Sequence, residues 1–414
     1  MNSQRNRQQR VERRKKKKKK RIIIISSILA LFIGIAGYYA TNLISAFSNS
    51  HDENLKTDAK KVDVKQEPFT MLLVGIDQYD LENENKSGGR PDVLMVATVN
   101  PKEKSVRTMS IPRDTYVKFY NSTSKGKITE TLSALHSGSD AKAKNQQIVK
   151  QVEQFLDNKI QINYVAQINF SGFMDLVDAV GGITVDNKYK FQVPFYGGKL
   201  LKYEPGQIKL DGEKALMYVR TRKEHKGTGS RVPPEMEDDN DRNRRQQEVI
   251  NLILNKMIGF TGVTQFSDIT KAVGKNFRYS FDMGEVLPLF NVYREAQHNK
   301  ESITLFNYEV RDGKSYQTVP EGERQRAIAE LLKHLGKDYD KHALLYDHTL
   351  DPFQAKTLEQ ITTQISPRAY RNSEGTGSNQ SNQPNNNQPK QPNGQSNHSQ
   401  NSSNKGNKST TTTP

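Results

Sequence analysis

GRPDVLMVATVNPKEKSVRTMSIPRDTYV, residues 89–117, is the stretch on which the fold turns. Val93–Val99 is a continuous apolar run with β-branched residues, short enough for a buried strand. Val106–Ile111 reads as a second strand, and the Asn100-Pro101 turn between the two predicts a hairpin. Upstream, Thr70–Ile76 (TMLLVGI) is another buried strand, ending beside Gly75. Charge gathers where these strands stop. Asp77 follows the first; Gly89-Arg90-Pro91-Asp92 precedes the second; Ser110-Ile111-Pro112-Arg113-Asp114-Thr115 closes the third. Turn chemistry alone favours Asp in such places, yet a carboxylate at the end of a buried strand is also held rigidly where sheets of this kind bind ligands.

Further along, strand-like and helix-like patterns alternate. Ile148, Val152, Phe155 and Leu156 form one helical stripe in residues 145–158, and Tyr164–Asn169 alternates as a strand. Ser171 is placed to cap a helix over Gly172–Val180, which Gly181-Gly182 stops. Residues 207–210 lead through Asp211-Gly212 into a helix over Glu213–Val219. Arg244–Phe260 carries Val249, Ile250, Ile253, Leu254, Met257 and Ile258 at amphipathic spacing. Ile303–Tyr308 reads as a strand, and Glu321–Leu335 as a helix ended by Gly336. The class expected is α/β, a mixed central sheet with helices packed on both faces.

The formal charge of +16 over 414 residues is unevenly spread. Residues 1–21 carry twelve Lys or Arg against Glu12, a net of +11, which leaves +5 for the other 393. Ile22–Ala40 is almost wholly apolar and, as a helix, spans about 28 Å, close to the bilayer hydrocarbon thickness. Tyr38 and Tyr39 fall where aromatic rings prefer the interface. A basic flank stays inside, so a single-pass type II membrane protein is expected, with the N-terminus cytoplasmic and the remainder extracellular. The run exceeds a usual signal core and no small-residue cleavage site follows, which favours an uncleaved anchor. The arm beside it is read as a topology determinant attracted to anionic lipid, and nucleic acid is not an expected partner. The organisation is then a polybasic arm (1–21), a transmembrane signal-anchor (22–44), a juxtamembrane linker (45–68), a folded domain (69–300), an extension of it (301–368) and an Asn/Gln/Ser-rich tail (369–414) too poor in apolar residues to stay ordered. Cysteine is absent, which excludes disulfides, thiolate zinc sites and cysteine nucleophiles.

The strongest chemical signal is a pair of arginine clusters. Tyr218-Val219-Arg220-Thr221-Arg222-Lys223 is followed, after a polar loop, by Asp241-Arg242-Asn243-Arg244-Arg245-Gln246-Gln247. Arg242, Arg245 and Gln246 share one face at the start of the long helix. Unneutralised arginine is unfavourable at that end, which itself attracts anions, so a bound multivalent anion would remove the conflict. The planar guanidinium fork suits phosphate. Arginines together with carboxylates point to pyrophosphate and a divalent cation, Mg²⁺ or Mn²⁺, held through oxygen. No Walker loop or dinucleotide glycine fingerprint is present.

Taken together, LLVGID (72–77), GRPDVLMVATVNP (89–101), SIPRDTYV (110–117), Lys127-Ile128, INFSGFMDLVDAVGGITVD (168–186), LDGEKALMYVRTRK (210–223) and DRNRRQQEVI (241–250) resemble the LytR-CpsA-Psr family over about residues 69–258. The resemblance implies transfer of an anionic glycopolymer, such as teichoic acid or capsule, from undecaprenyl pyrophosphate to peptidoglycan. It implies Mg²⁺ between Asp77, Asp92 and the pyrophosphate, and phosphate contacts from Arg90, Arg113, Lys127, Arg220, Arg222, Arg242 and Arg245 with Gln246 beside them. Arg90, Asp92 and Arg113 are the residues expected to be catalytic, with apolar faces of sheet and helices enclosing the prenyl chain. Three positions and one loop depart from the family pattern: Tyr79 and Thr129 replace a usual Arg and Asn, Asp241 replaces a usual Gly, and the loop from Glu224 to Asp238 is long. For Asp114, the weakest candidate, acid–base work stays open, and a structural salt bridge to a nearby Arg is the stronger expectation. Two rival readings are a transcriptional attenuator, which would need a nucleic-acid-reading domain on the short cytoplasmic side, and a non-catalytic wall-binding scaffold.

Overall fold

The computed structural model describes residues 50–78, 89–136, 138–224, 227–236, 239–258, 269, 271–296, 298–350 and 369–371. The basic arm, the apolar run Ile22–Ala40, Tyr79 and residues 372–414 lie outside them. Among the described residues no helix is long and apolar enough to cross a membrane.

In chain order the strands are β1 (Phe69–Ile76), β2 (Pro91–Asn100), β3 (Ser105–Ile111), β4 (Tyr116–Lys118), β5 (Lys125–Lys127), β6 (Tyr164–Asn169), β7 (Ile183–Asn187), β8 (Phe191–Pro194), β9 (Leu200–Tyr203), β10 (Gly206–Leu210), β11 (Phe277–Tyr279), β12 (Lys300–Ile303), β13 (Tyr308–Asp312) and β14 (Lys314–Thr318). The principal helices are α1 (Ala141–Phe155), α2 (Phe170–Ala179), α3 (Gly212–Arg220), α4 (Asp239–Ile258), α5 (Met283–Ala296) and α6 (Glu321–His334). The main sheet runs β11-β6-β1-β2-β3-β12. β1 is parallel to β6 and β3 to β12, while β1–β2, β2–β3 and β6–β11 are antiparallel, so the sheet is mixed.

The hairpin is β2–β3, with Leu94 opposite Ile111 and Val99 opposite Val106. Asn100 makes its turn: the side-chain carbonyl accepts from the amides of Lys102 (3.1 Å) and Glu103 (3.2 Å), the local bonding for which Asn is favoured in turns. At the other end β1 and β2 approach so closely that a Cβ on Gly75 would lie 2.9 Å from Val93 Cβ. The register slips between Gly75 and Ile76, a bulge of the kind that re-aims the chain beside functional sites.

Alternation along the strands divides the core. Leu72, Val74, Ile76, Leu94, Val96, Met109 and Ile111 pack on α1 and α6 through Ile148, Val152, Ile328 and Leu331. The opposite face, bearing Met71, Leu73, Met95 and Ala97, turns toward α4 and α5. The architecture is therefore helix, mixed sheet, helix. β12 and α6 show why residues beyond 300 belong to this core: one extends the sheet and the other covers it.

Several expectations shift. α2 starts at Phe170 with Asn169, not Ser171, as its cap, because the Asn169 carbonyl accepts from Gly172 N at 2.8 Å. Ile303–Tyr308 is not one strand; it joins β12 to β13, and the Phe306 amide is held by Glu323 at 2.9 Å. Ala369–Arg371, assigned to the tail, packs against the body, with Tyr370 bridging Tyr346 and Arg371 on Asp347 at 2.8 Å. The described part of the long loop docks on β8, where Arg231 and Gln192 exchange backbone hydrogen bonds and Val232 and Met236 are buried.

Candidate active site

The chain turns out of β3 at Pro112, and the next carboxylate, Asp114, is only 4 % exposed. Its backbone is fixed by the Gln317 amide, which donates to the Asp114 carbonyl at 2.8 Å. Three cations converge on its side chain: Lys127 Nζ at 2.9 Å, Arg222 Nη1 at 3.5 Å and Arg113 Nε at 3.9 Å. These come from the end of β5, the residues after α3 and the end of β3, so one buried acid gathers basic groups distant in sequence. Burying a charge is tolerable only when it is paired, and here the pairing holds the cations in place.

A second acid, Asp92 at the start of β2, receives Arg113 Nη1 at 2.7 Å on one oxygen and Thr129 Oγ1 at 3.0 Å on the other. Arg113 therefore spans both carboxylates. Thr129, one of the departures from the family pattern, donates to Asp92. Asp77, just past the bulge, bonds through its amide to the Arg90 carbonyl at 2.9 Å. Its carboxyl lies 3.5 Å from Arg220 Nη2, and the Arg220 guanidinium stacks 4.0 Å from the Phe170 ring centre. Burial pushes the Asp77 carboxyl up, nearby Asp92 pushes it the same way, and Arg220, Arg113 and Arg90 oppose them. Arg90 itself is exposed.

Arg245 departs from its expected place on a phosphate. It is 2 % exposed, and its guanidinium donates to Asp241 at 2.9 Å, to the Thr221 carbonyl at 2.6 Å and to the Tyr218 carbonyl. Burial holds its pKa below the usual value. These bonds satisfy carbonyls that the end of α3 leaves open. Asp241, at the family's usual Gly, also receives Arg244 at 2.8 Å. Much of the charge conflict expected at the start of α4 is thus settled within the chain.

Between the inner face of the sheet and α4 and α5 lies a cavity of about 860 Å³. Its mouth is lined by Asp92, Arg113, Arg220, Arg222, Arg242 and Gln246, and its interior by residues such as Leu73, Met95, Ile250, Leu254, Leu289 and Phe290. Of the residues expected at the site, Asp77, Arg90, Lys127 and Arg245 are not on the cavity wall. Lys127 joins it indirectly through Asp114, and Asp77 through Arg220. Sequence reasoning missed Thr129 as a partner of Asp92, Phe170 beneath Arg220, and Gln247, which accepts from Ser302 (2.8 Å) and donates to Ser110 (3.1 Å). Thr129, a departure from the family pattern, and Gln247, beside Gln246 in the arginine cluster, each carried a local signal; Phe170 carried none.

Among the described residues no group of three or more His, Cys, Asp or Glu could cage a metal. Asp92 is nonetheless close enough to Asp77 to help burial raise the Asp77 pKa. Such a pair fits a hard divalent cation that takes its remaining oxygens from phosphate and water.

The LytR_cpsA_psr family pattern matches residues 36–333. The chain is 32% identical over 319 residues to the polyisoprenyl-teichoic acid–peptidoglycan teichoic acid transferase TagU of Bacillus cereus, covering 74% of this chain and 95% of that one. Among solved structures it is similar to B. subtilis TagV, with 27% identity and a TM-score of 0.54 over 66% of this chain and 99% of that one. It is also similar to TagT bound to LIIa-WTA, with 28% identity and a TM-score of 0.50 over 67% and 94%.

Proposed function

Because this chain belongs to the LytR_cpsA_psr family, we propose that it is a phosphotransferase moving an anionic glycopolymer of teichoic-acid type from a polyprenyl diphosphate to peptidoglycan. One observation carries the reading: a single cavity is cationic at its mouth and apolar within. That is the complement of a diphosphate on a long hydrocarbon.

In this reading Arg113, Arg220, Arg222 and Arg242 donate to diphosphate oxygens at the mouth, while the prenyl chain enters the cavity. A wall-sugar hydroxyl attacks the phosphorus next to the polymer and releases its proton to water, the bond from that phosphorus to the bridging oxygen breaks, and lipid monophosphate leaves with that oxygen. The arginines meet charge as it builds on the leaving phosphate, so positioning and electrostatics supply the rate. Asp92 and Asp114 hold Arg113 between them, which fixes its fork before substrate arrives. Asp77 and Asp92 would hold a divalent cation, Mg²⁺ or Mn²⁺, which when bound neutralises phosphate oxygens. The apolar run Ile22–Ala40 behind its basic arm supports anchoring in the cell membrane with the folded part outside.

The test incubates the full-length protein with lipid-diphosphate-linked polymer, wall glycan and Mg²⁺, and follows both the polymer–glycan phosphodiester and released lipid monophosphate. Both products are expected, chelation should stop them, and Arg113→Ala should abolish them with the fold intact. Absence of product from the wild-type protein, or undiminished product from Arg113→Ala, overturns the reading.

A further inference from the structure

We propose that α5 is the floor of the cavity and sets how much of a prenyl chain it takes, with Leu289 and Tyr293 as the residues that fix the limit. The inference rests on the reading of the cavity as a prenyl slot, and concerns what that reading leaves open: where the slot ends.

Two rulers give its depth. On the sheet side, the mouth sits at the Ile111 end of β3, and β12 places Lys300 opposite Val106 at the other end. Five residues of strand separate these levels, about 17 Å. On the helix side, α4 lines the cavity at Arg242, Gln246, Ile250, Leu254 and Met257. Fifteen residues of helix rise about 22 Å. The hydrogen bonds from Gln247 to Ser110 and from Lys300 to Asn255 show that α4 descends along β3, so the two rulers measure the same direction.

What closes the far end is α5. Leu289, Val292 and Tyr293 pack on Phe69, Val99, Val106 and Tyr164, the residues at the opposite ends of their strands from the cationic mouth. The helix thus lies over the base of β6, β1, β2 and β3, and Val286, Leu289, Phe290 and Tyr293 face the cavity. Tyr293 lines the floor, with its hydroxyl buried out of reach of the cavity. Its hydroxyl is buried without a hydrogen-bond partner among the described residues, and Lys300 sits 5.7 Å from its ring centre. Burial lowers the Lys300 pKa. Apolar carbons gain by filling the walls above this level, and below it the side chains of α5 are packed on the strand ends and leave no wall to cover. The slot therefore grips the isoprene units nearest the diphosphate, and chain beyond about 20 Å from the mouth makes no further favourable contact.

The experiment measures binding of geranyl, farnesyl, geranylgeranyl and undecaprenyl pyrophosphate to the full-length protein in lipid nanodiscs. Affinity should rise roughly tenfold or more with each isoprene unit that still finds apolar wall, then level off. Tyr293→Ala deepens the slot and should move the plateau to longer chains; Leu289→Phe raises the floor and should move it to shorter ones. Circular dichroism and thermal unfolding of all three proteins report that the variants are folded. A plateau at the same length in both variants overturns the assignment of the floor. A wild-type protein that binds every length equally, or none, removes the prenyl slot itself and the floor with it.

Discussion

Replacing Asp114 by Asn tests whether one buried carboxylate assembles the proposed phosphate site. The substitution keeps the shape and removes the charge on which Lys127, Arg222 and Arg113 converge at 2.9, 3.5 and 3.9 Å. Removing one partner of a buried pair costs about 3–5 kcal/mol. The three cations are partly solvated, with side chains 18–33% exposed, and can turn to water. The loss of stability should therefore be smaller, about 2 kcal/mol after that discount. It should appear as a fall in Tm of about 3 °C. Activity should suffer more. Displacing the cations by about 1 Å is enough to lower turnover about a hundredfold, while the apolar walls still bind the lipid chain. The assay pairs thermal unfolding with steady-state transfer kinetics, and kcat should fall by a larger factor than KM rises. Asp114→Glu, which keeps the charge, should recover part of kcat. Wild-type kcat in Asp114→Asn would refute the reasoning, as would equal loss in the Asn and Glu variants.

Arg245→Met should act through stability, since its guanidinium meets Asp241 and backbone carbonyls rather than the cavity; a loss of about 3 kcal/mol is expected in urea unfolding, with KM for the lipid substrate nearly unchanged. His334 gives a pH dependence. Its ring lies between Thr98 Oγ1 and Ser105 Oγ, each at 2.7 Å, and burial, then Arg107, lowers its pKa from 6.5 to about 4. Unfolded imidazole takes a proton near 6.5 and folded imidazole only near 4, so the unfolded state binds more protons between them and stability falls as pH drops through that window, by about 3 kcal/mol in all. His334→Gln should remove this component from urea midpoints compared at pH 7 and pH 4; an unchanged wild-type-minus-variant difference would exclude it.

Local pattern was enough for the hairpin. Val93–Val99 and Val106–Ile111 have no other good use than buried strands, and Asn100 supplies its own turn bonds. The same holds for α4, whose apolar positions repeat at helical spacing. Local pattern failed where one side chain chose between neighbours. Asn169 outcompeted Ser171 as a cap, and residues 304–307 stayed out of the sheet, with the Phe306 amide held by Glu323. At the site, the clustering of arginines and carboxylates at strand and helix ends was legible as a candidate for phosphate chemistry, although turn chemistry favours Asp in such places too. Their division of labour was not legible. Arg242 and Arg245 share a helix face in sequence, yet one lines the cavity and the other secures the end of α3.

The sequence by itself determined the mixed α/β class, the strands that end in charge and the basic character of the proposed anion site, because these follow from periodicity and from the chemistry of single side chains. Only the tertiary structure decided that Asp114 would gather Arg113, Lys127 and Arg222, that Thr129 would serve Asp92, and that α5 would cross the foot of the sheet. Those contacts join residues far apart in the chain. Their free energy exists only when the intervening segments have folded, so no short window of sequence contains it.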